Sequence, residues 1–178
     1  YNRWWGQAYG VLAQGHRLEA KRRPRRENHL SYVPPEGRAP VIEPGGEFRI
    51  TPRLIPGRNL FGVMTVAARL LDRPLRRAEL TVRDPDGAVR AADVTARIGG
   101  EVYAAGRTDA EGRLEMNLPP KRCVLRVEAI GRPAKTVKLP AGGDHSVEVE
   151  LSAPGCVEAE ITDGAGEPLP CKVQFLGR

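Results

Sequence analysis

The chain has 178 residues, which allows one or two small domains with a buried core. Its 20 Gly and 16 Pro favour turns and short strands over long helices, and no run of 18 apolar residues is present to span a membrane. The net charge of +6 arises in residues 1–99, which hold 18 basic and 10 acidic side chains. Most of the basic residues are Arg, as GC-rich coding produces, so the charge is weak evidence for a nucleic-acid partner and we expect none. The lack of a long apolar run leads us to expect no membrane insertion.

Residues 1–23 are predicted to form a helical segment, with the helix itself at residues 4–23. Apolar residues recur there at spacings of three and four, the period of one helix face: Trp4, Ala8, Val11, Leu12 and Leu18. Pro24 stops the pattern. Three glycines each lower helix stability by about 1 kcal/mol relative to Ala, so this helix needs a surface to pack on. Because the chain begins with Tyr1 and not Met, we expect the segment to be the end of an upstream domain.

Residues 24–58 are rich in Pro, Gly and charged side chains, a composition typical of a linker. One short strand is predicted within it at residues 47–50, where Phe48 and Ile50 fall on the same face. The rest of this segment is predicted to be an extended strap.

Residues 59–74 are predicted to contain a helix over residues 60–71. Asn59 is a suitable N-cap, and Pro74 prevents the helix from continuing. The apolar side of this helix consists of Leu60, Val63, Met64, Ala67, Leu70 and Leu71. A strand is the alternative, because three neighbouring residues favour sheets: Val63, Thr65 and Val66.

From residue 79 the apolar period changes to two. Residues 79–153 alternate apolar and polar in segments roughly ten residues apart, separated by turns rich in Asp, Gly and Pro. The inward positions include Leu80, Val82, Val94, Ala96, Ile98, Leu114, Met116, Leu118, Leu125, Val127, Val149 and Leu151. This pattern predicts a mainly β fold, a seven-stranded antiparallel β-sandwich in which each sheet has one solvated face.

One short turn pattern occurs twice. Asp84 to Gly87 and Asp163 to Gly166 both read Asp-x-x-Gly, at an offset of 79 residues. Residues 156–178 are therefore predicted to be the truncated start of a second, similar module, with a strand on either side of its turn. Two strands alone are marginal in water, so we expect them to pair with the preceding module or with residues beyond this chain.

The stretch from Thr108-Asp-Ala-Glu-Gly112 through Pro119-Pro120, with the alternating residues 124–129 after it, resembles the carboxypeptidase regulatory-like domain. The resemblance implies a transthyretin-like, Ig-like β-sandwich. Lys121 stands where that family has Gly, which implies a less tight turn at this point. Such modules flank secreted or surface enzymes and transport proteins, which implies an exported, periplasmic or extracellular location.

A second resemblance concerns residues 157–177. They are similar to the accessory region that precedes the catalytic domain of carbaryl hydrolase-like metallohydrolases of the polymerase-and-histidinol-phosphatase type. This resemblance implies a catalytic domain after Arg178. The His-x-His metal motif of those enzymes is absent from this sequence, so no catalytic, cofactor-binding or metal-binding residue is carried over.

Two acidic pairs lie beside glycines, Asp84 with Asp86 and Asp109 with Glu111. Calcium needs several oxygen ligands, whereas each pair supplies two carboxylates in the sequence context of an Asx turn, so we interpret both as hairpin turns. The histidines fall on a predicted helix, a linker and a turn, and predict no zinc site: His16, His29 and His145. The serines lack a G-x-S-x-G context: Ser31, Ser146 and Ser152.

The three cysteines contain no C-x-x-C pattern. Alternation predicts that Cys123 and Cys171 are buried small apolar residues. A disulfide between Cys156 and Cys171 is the alternative for an exported protein.

The run Lys21-Arg-Arg-Pro-Arg-Arg26 is interpreted as a solvated helix end and linker, with binding to phosphates or an anionic membrane surface as the alternative. An aromatic group near the start of the chain is predicted to pack against residues outside it: Trp4, Trp5 and Tyr9. A sugar-stacking or partner surface is the alternative for these aromatic residues.

We therefore expect a non-catalytic spacer and docking module of a larger, exported bacterial protein, with no cofactor. Its expected partners are adjacent domains of the same parent chain. Two alternatives remain open, the accessory region of a metal-dependent hydrolase and a module that binds carbohydrate or a cell surface.

Overall fold

A computed structural model describes residue 2 and residues 6–13, 15–22, 28–33 and 41–174. Over these ranges the chain is mainly β, as predicted, with 12 strands and one helix. No helix in the described ranges is long and apolar enough to cross a membrane.

The described part of the chain begins with four strands, followed by the helix. These strands are β1 (Ala8–Ala13), β2 (Arg17–Arg22), β3 (Asn28–Val33) and β4 (Pro52–Gly57), and the helix is α1 (Leu60–Leu70). The later strands, within residues 41–174, are β5 (Arg76–Asp84), β6 (Gly87–Ala88), β7 (Asp93–Ile98), β8 (Glu101–Arg107), β9 (Arg113–Leu118), β10 (Cys123–Glu128), β11 (Lys135–Leu139) and β12 (His145–Glu150).

The strands from β5 onward form two facing sheets, which confirms the predicted β-sandwich. One sheet has the order β11-β10-β7-β8 and is antiparallel throughout. In the other, β5 pairs with β12 on one side, and β9 and the short β6 share its other side. The prediction of a wholly antiparallel arrangement is wrong at one place, because β12 runs parallel to β5, with His145 opposite Ala78.

The main core lies between these two sheets. Each long strand contributes alternate residues, which are almost fully buried: Ala78, Leu80, Val82, Val94, Ala96, Leu114, Met116, Leu118, Cys123, Leu125 and Val127. Burying a large apolar side chain contributes about 1.5–3 kcal/mol relative to leaving it exposed. This alternation is the period-two pattern that predicted the sandwich.

Helix α1 confirms the predicted helix and covers the side of the sandwich. Asn59 Oδ1 accepts a hydrogen bond from the Gly62 N–H at 2.9 Å, which satisfies one of the free donors of the first turn. At the other end, the Leu71 N–H donates to the carbonyl groups of Ala67 and Ala68. The helix packs on β8 and β9, and Phe61 enters the main core between the sheets.

A two-stranded ribbon, β1 with β4, packs on the opposite side of α1. Ala8 and Ile55 form a second small core there with Val63 of the helix. The predicted helix over residues 4–23 is therefore wrong for its described part, which forms β1 and β2. Gly10 gives the physical reason, because it faces Val63 at a distance that leaves no room for a side chain.

The predicted linker, residues 24–58, contains more structure than expected. Its described part includes β3, which pairs with β2, and β4. The strand predicted at residues 47–50 is wrong. Phe48 lies instead against Tyr32 of β3, with 5.2 Å between ring centroids, and 6.1 Å from the ring of His16.

Residues 151–174, the described end of the chain, contain no strand. Their pairing is a single bridge between Thr162 and Pro168, and residues 152–174 are exposed. The strands predicted on either side of this turn are therefore wrong for the described residues. Two isolated strands would bury too little apolar surface to be stable here. The existence of a second module beginning at residue 156 stays a prediction.

Candidate functional site

Asp84 is buried and forms an ion pair with Arg132, which is partly buried. Its Oδ1 accepts the Asp86 N–H at 3.0 Å, and its Oδ2 accepts hydrogen bonds from Nε and Nη2 of Arg132, the former at 3.1 Å. The side chains of Asp84 and Arg132 are 3% and 17% exposed. The hydrogen bond from Arg132 holds the pKa of Asp84 below its ordinary value, against burial, which acts in the opposite direction. The pair joins the end of β5 to the loop between β10 and β11.

Asp109 forms an Asx turn, as interpreted from the sequence. Its Oδ1 accepts the N–H groups of Glu111 at 3.0 Å and Arg113 at 2.7 Å, and Gly112 completes the turn with a φ of 72°. The Asp109 carboxylate is thus hydrogen-bonded to backbone N–H groups of its own turn.

The Asp163 turn has the same geometry as the Asp109 turn. Asp163 Oδ1 accepts the N–H groups of Ala165 at 2.8 Å and Glu167 at 2.9 Å, and Gly166 has a φ of 85°. The turn at Asp84 differs, because its second carboxylate oxygen is held by Arg132. The turn that repeats in the structure is therefore that of Asp109, which returns at Asp163. The offset of 79 residues seen in the sequence joins Asp163 to Asp84, whose turn has a different geometry.

The histidines and serines weighed as catalytic or metal-binding residues lie on separate elements. His16 follows β1, His145 begins β12, and the side chain of His29 lies outside the described residues. The serines lie on β3, on β12 and after β12: Ser31, Ser146 and Ser152. Within the described residues, no group of three or more His, Cys, Asp or Glu side chains is placed to hold a metal ion.

The cysteines differ in environment. Cys123 is buried, as predicted, and this burial raises the pKa of its thiol. Cys171 is exposed, so its predicted burial is wrong. The strand that was predicted to bury it does not form in the described residues. Cys156 is exposed as well, and both are free thiols.

The basic run and the two tryptophans lie largely outside the described residues. The backbones of Lys21 and Arg22 belong to the end of β2, whereas residues 23–26 lie outside. Trp4 and Trp5 lie outside as well, so their predicted packing stays a prediction. Tyr9 is described, and it lies on the ribbon.

The outer side of the ribbon carries an exposed apolar face, formed by Tyr9, Val11, Leu54 and Pro56. Tyr9 stands opposite Pro56 and Val11 opposite Leu54 in the strand register. Tyr9 is 60% exposed, Val11 39% and Leu54 67%. None of these four side chains is charged. The last pair in the register is Pro52 with Ala13, and Ala13 is buried.

The outer sides of both sandwich sheets are different, because they carry ion pairs, such as that of Arg126 with Glu128 at 2.8 Å on β10. On β5, Arg77 contacts Glu115 at 2.6 Å, and Arg83 contacts Glu148 at 3.2 Å. Such exposed ion pairs contribute little to stability, but they are typical of a sheet face that water covers. The exposed apolar face of the ribbon contrasts with both.

No protein-family model matches the sequence, and no curated protein matches it. Solved structures similar to this chain include the 5-hydroxyisourate hydrolase of Klebsiella pneumoniae, with a TM-score of 0.39 and 18% identity, covering 46% of this chain and 92% of that one. A DUF3823 family protein from Parabacteroides merdae has a TM-score of 0.38 and 14% identity, covering 47% of this chain and 48% of that one.

The Bacillus anthracis TIE protein is a further similar structure, with a TM-score of 0.36 and 9% identity, covering 82% of this chain and 25% of that one. The β-sandwich described above follows from the strand pairing of this chain itself. The hydrolase activity named for the Klebsiella protein is a property of that protein.

Proposed function

We propose that this chain is a non-catalytic β-sandwich module that contacts a neighbouring domain of the same, longer polypeptide through the exposed apolar face of its ribbon. The observation that carries this proposal is the uncharged outer side of β1 and β4, with Tyr9 and Leu54 largely exposed. Contiguous apolar surface of this kind marks an interaction site in a soluble protein.

The ribbon supports this role because it is anchored to the rest of the molecule. Its inner side packs on α1 through Ala8, Ile55 and Val63, and α1 in turn contributes Phe61 to the main core. A surface held rigidly in its bound form loses little conformational entropy when a partner covers it. The module therefore fixes the position of the docked domain relative to the sandwich.

The order of turns and strands supports assigning the sandwich to the carboxypeptidase regulatory-like kind. The Asx turn of Asp109 leads into β9, the Pro119-Pro120 segment follows, and β10 comes next. Export and a role beside a metal-dependent hydrolase rest on resemblance alone and stay predictions. Carbohydrate binding also stays a prediction, since Trp4 and Trp5 lie outside the described residues.

Hydrogen–deuterium exchange tests the docking role. Exchange is compared between the 178-residue chain and the full product of its reading frame. We expect β1 and β4 to gain protection in the longer protein, while β10 exchanges alike in both. Equal exchange of the ribbon in the two proteins, or a reading frame limited to these residues, would contradict the proposal.

A pair of variants sharpens this test. Leu54→Glu places a charge on the exposed apolar face, so we expect it to abolish the added protection of β1. Val102→Glu is the matched control, because Val102 is an exposed apolar residue on β8, outside this face. If both variants act alike, the effect is not specific to the ribbon.

A further inference from the structure

A second apolar site lies on another side of the molecule, between the C-terminal half of α1 and the ends of the sandwich strands. We call it the α1 pocket. Its volume is about 440 Å³, and its lining includes Met64, Leu71, Ile98, Tyr103, Pro119 and Lys121. This volume is within the range of small-molecule sites, roughly 300–1,000 Å³.

The apolar part of the α1 pocket is continuous with the main core. Met64, Ile98 and Tyr103 are partly buried and pack against the buried core residues. Burial raises the pKa of the Tyr103 phenol, and the nearby charge of Arg73 acts against that rise. An apolar group that entered here would exclude water from these three side chains.

Two charged residues line the α1 pocket, and each carries a positive charge. Arg73 follows α1, Lys121 precedes β10, and both are exposed. No acidic side chain lines the pocket. Within the described residues, neither cation forms an ion pair with a carboxylate. Their charges are therefore available to an anionic group at the mouth of the pocket.

A third cation, Arg76, lies behind the pocket wall. It is only 4% exposed, and it donates to the carbonyl oxygens of Pro119 at 3.2 Å, Lys121 at 3.0 Å and Gly143 at 3.4 Å. These bonds fix the segment that carries Lys121. In the described part of the chain no carboxylate pairs with this guanidinium, so its charge adds to the positive potential of the site.

We propose that the α1 pocket binds a small amphipathic monocarboxylate, with its apolar body against Met64 and Tyr103 and its carboxylate beside Arg73 and Lys121. Burial of the apolar body supplies most of the affinity. The charge-assisted contacts select an anionic head over a neutral one. This function is separate from docking through the ribbon.

The two methionines of the chain provide a direct probe. Met64 lines the pocket, whereas Met116 is buried in the main core. Protein labelled with 13C at the methionine methyl groups is titrated with octanoate and, separately, with 1-octanol, and followed by NMR. We expect octanoate to shift the Met64 signal saturably and more than that of Met116, and to bind more tightly than octanol. Raising the ionic strength should weaken octanoate binding.

Charge variants separate specific binding from general attraction. Arg73→Gln with Lys121→Gln removes both charge-assisted contacts and should weaken octanoate binding about tenfold. Arg113→Gln with Lys135→Gln removes the same charge from exposed sites outside the pocket and should leave the affinity unchanged.

Four results would each overturn the proposal. They are no saturable shift of Met64, an equal shift of Met116, equal affinity for octanol, or equal weakening by the two double variants.

Discussion

Gly10 lies so close to Val63 that a Cβ atom on the glycine would be 2.5 Å from Cγ1 of the valine. Gly57, on the other strand of the ribbon, would place a Cβ atom 2.9 Å from Cγ2 of the same residue. The ribbon therefore rests directly on α1, with Val63 between two glycines. Contacts of this kind tolerate no added methyl group without displacement of the backbone.

Replacing Gly10 with Ala should destabilise the protein by about 1–3 kcal/mol, because the new methyl group overpacks the contact with Val63. The measurement is the free energy of unfolding from urea denaturation. A second change, Val63→Ala, should recover part of the loss by making room. Gly164→Ala is the control, since nothing lies within 4 Å of that position. Equal stability of Gly10→Ala and the native chain would contradict this account of the ribbon.

Replacing Asp84 with Asn should destabilise the protein in a pH-dependent way. Asn keeps an oxygen for the Asp86 N–H but loses the charge that pairs with Arg132. The pKa of Asp84 is lowered in the folded state, so its contribution is present above the unfolded-state pKa of about 3.9 and is lost as pH falls through the folded-state pKa. The stability difference between variant and native chain should therefore shrink below about pH 4.

Thermal or urea unfolding between neutral pH and pH 2.5 measures this difference. Asp86→Asn is the matched control, because Asp86 is exposed and lies in the same turn. If the difference in unfolding free energy between Asp84→Asn and the native chain stays constant down to the lowest pH, the ion pair does not cause the loss of stability.

Replacing Thr108 with Val should cost about 1–3 kcal/mol, because it leaves two buried backbone groups unpaired. The Thr108 hydroxyl accepts the Ala92 N–H at 2.9 Å and donates to the Val89 carbonyl at 2.7 Å. Thr162 is the equivalent residue of the Asp163 turn and is exposed, so Thr162→Val should have no effect on urea denaturation. Similar losses for both variants would argue against the role of these two hydrogen bonds.

Replacing Gly112 with Ala should destabilise the protein by more than about 2 kcal/mol, since backbone strain and a clash act together. Its φ is +72°, and a Cβ atom there would be 2.4 Å from the Val82 carbonyl oxygen. Gly166 has a similar φ of +85° but nothing within 4 Å, so Gly166→Ala adds strain without a clash. Melting temperatures of the two variants compare these effects directly, and a larger drop for Gly166→Ala would refute the argument.

The sandwich could be predicted because its strands have unequal faces. On β9, Leu114, Met116 and Leu118 are buried and the residues between them are more exposed, so the period of two is visible in the sequence. Strand β8 was not predicted, because its buried residues, Ala104 and Gly106, are too small to give a clear apolar pattern.

The ribbon could not be predicted because its pattern fits two periods. The spacing of Ala8, Val11 and Leu12 suits a helix face, yet the same residues form a strand in the structure. What decides between them is the contact with Val63, more than 50 positions along the sequence from Gly10. The exposed apolar face could not be predicted for the same reason, because Leu54 and Val11 become neighbours only when β1 pairs with β4. The α1 pocket likewise combines residues from separate elements.

The parallel pairing of β12 with β5 has a consequence for the order of folding. The Arg77 N–H donates to Asp144, 67 positions later, and the pairing continues through the last strand of the sandwich. One edge of the central strand of this sheet thus stays unpaired until residues 145–150 have been synthesised, and contacts so distant in sequence are typical of slow-folding domains. A nascent or proteolysed chain that ends before residue 145 exposes this edge of β5, and aggregation through strand addition competes with its folding.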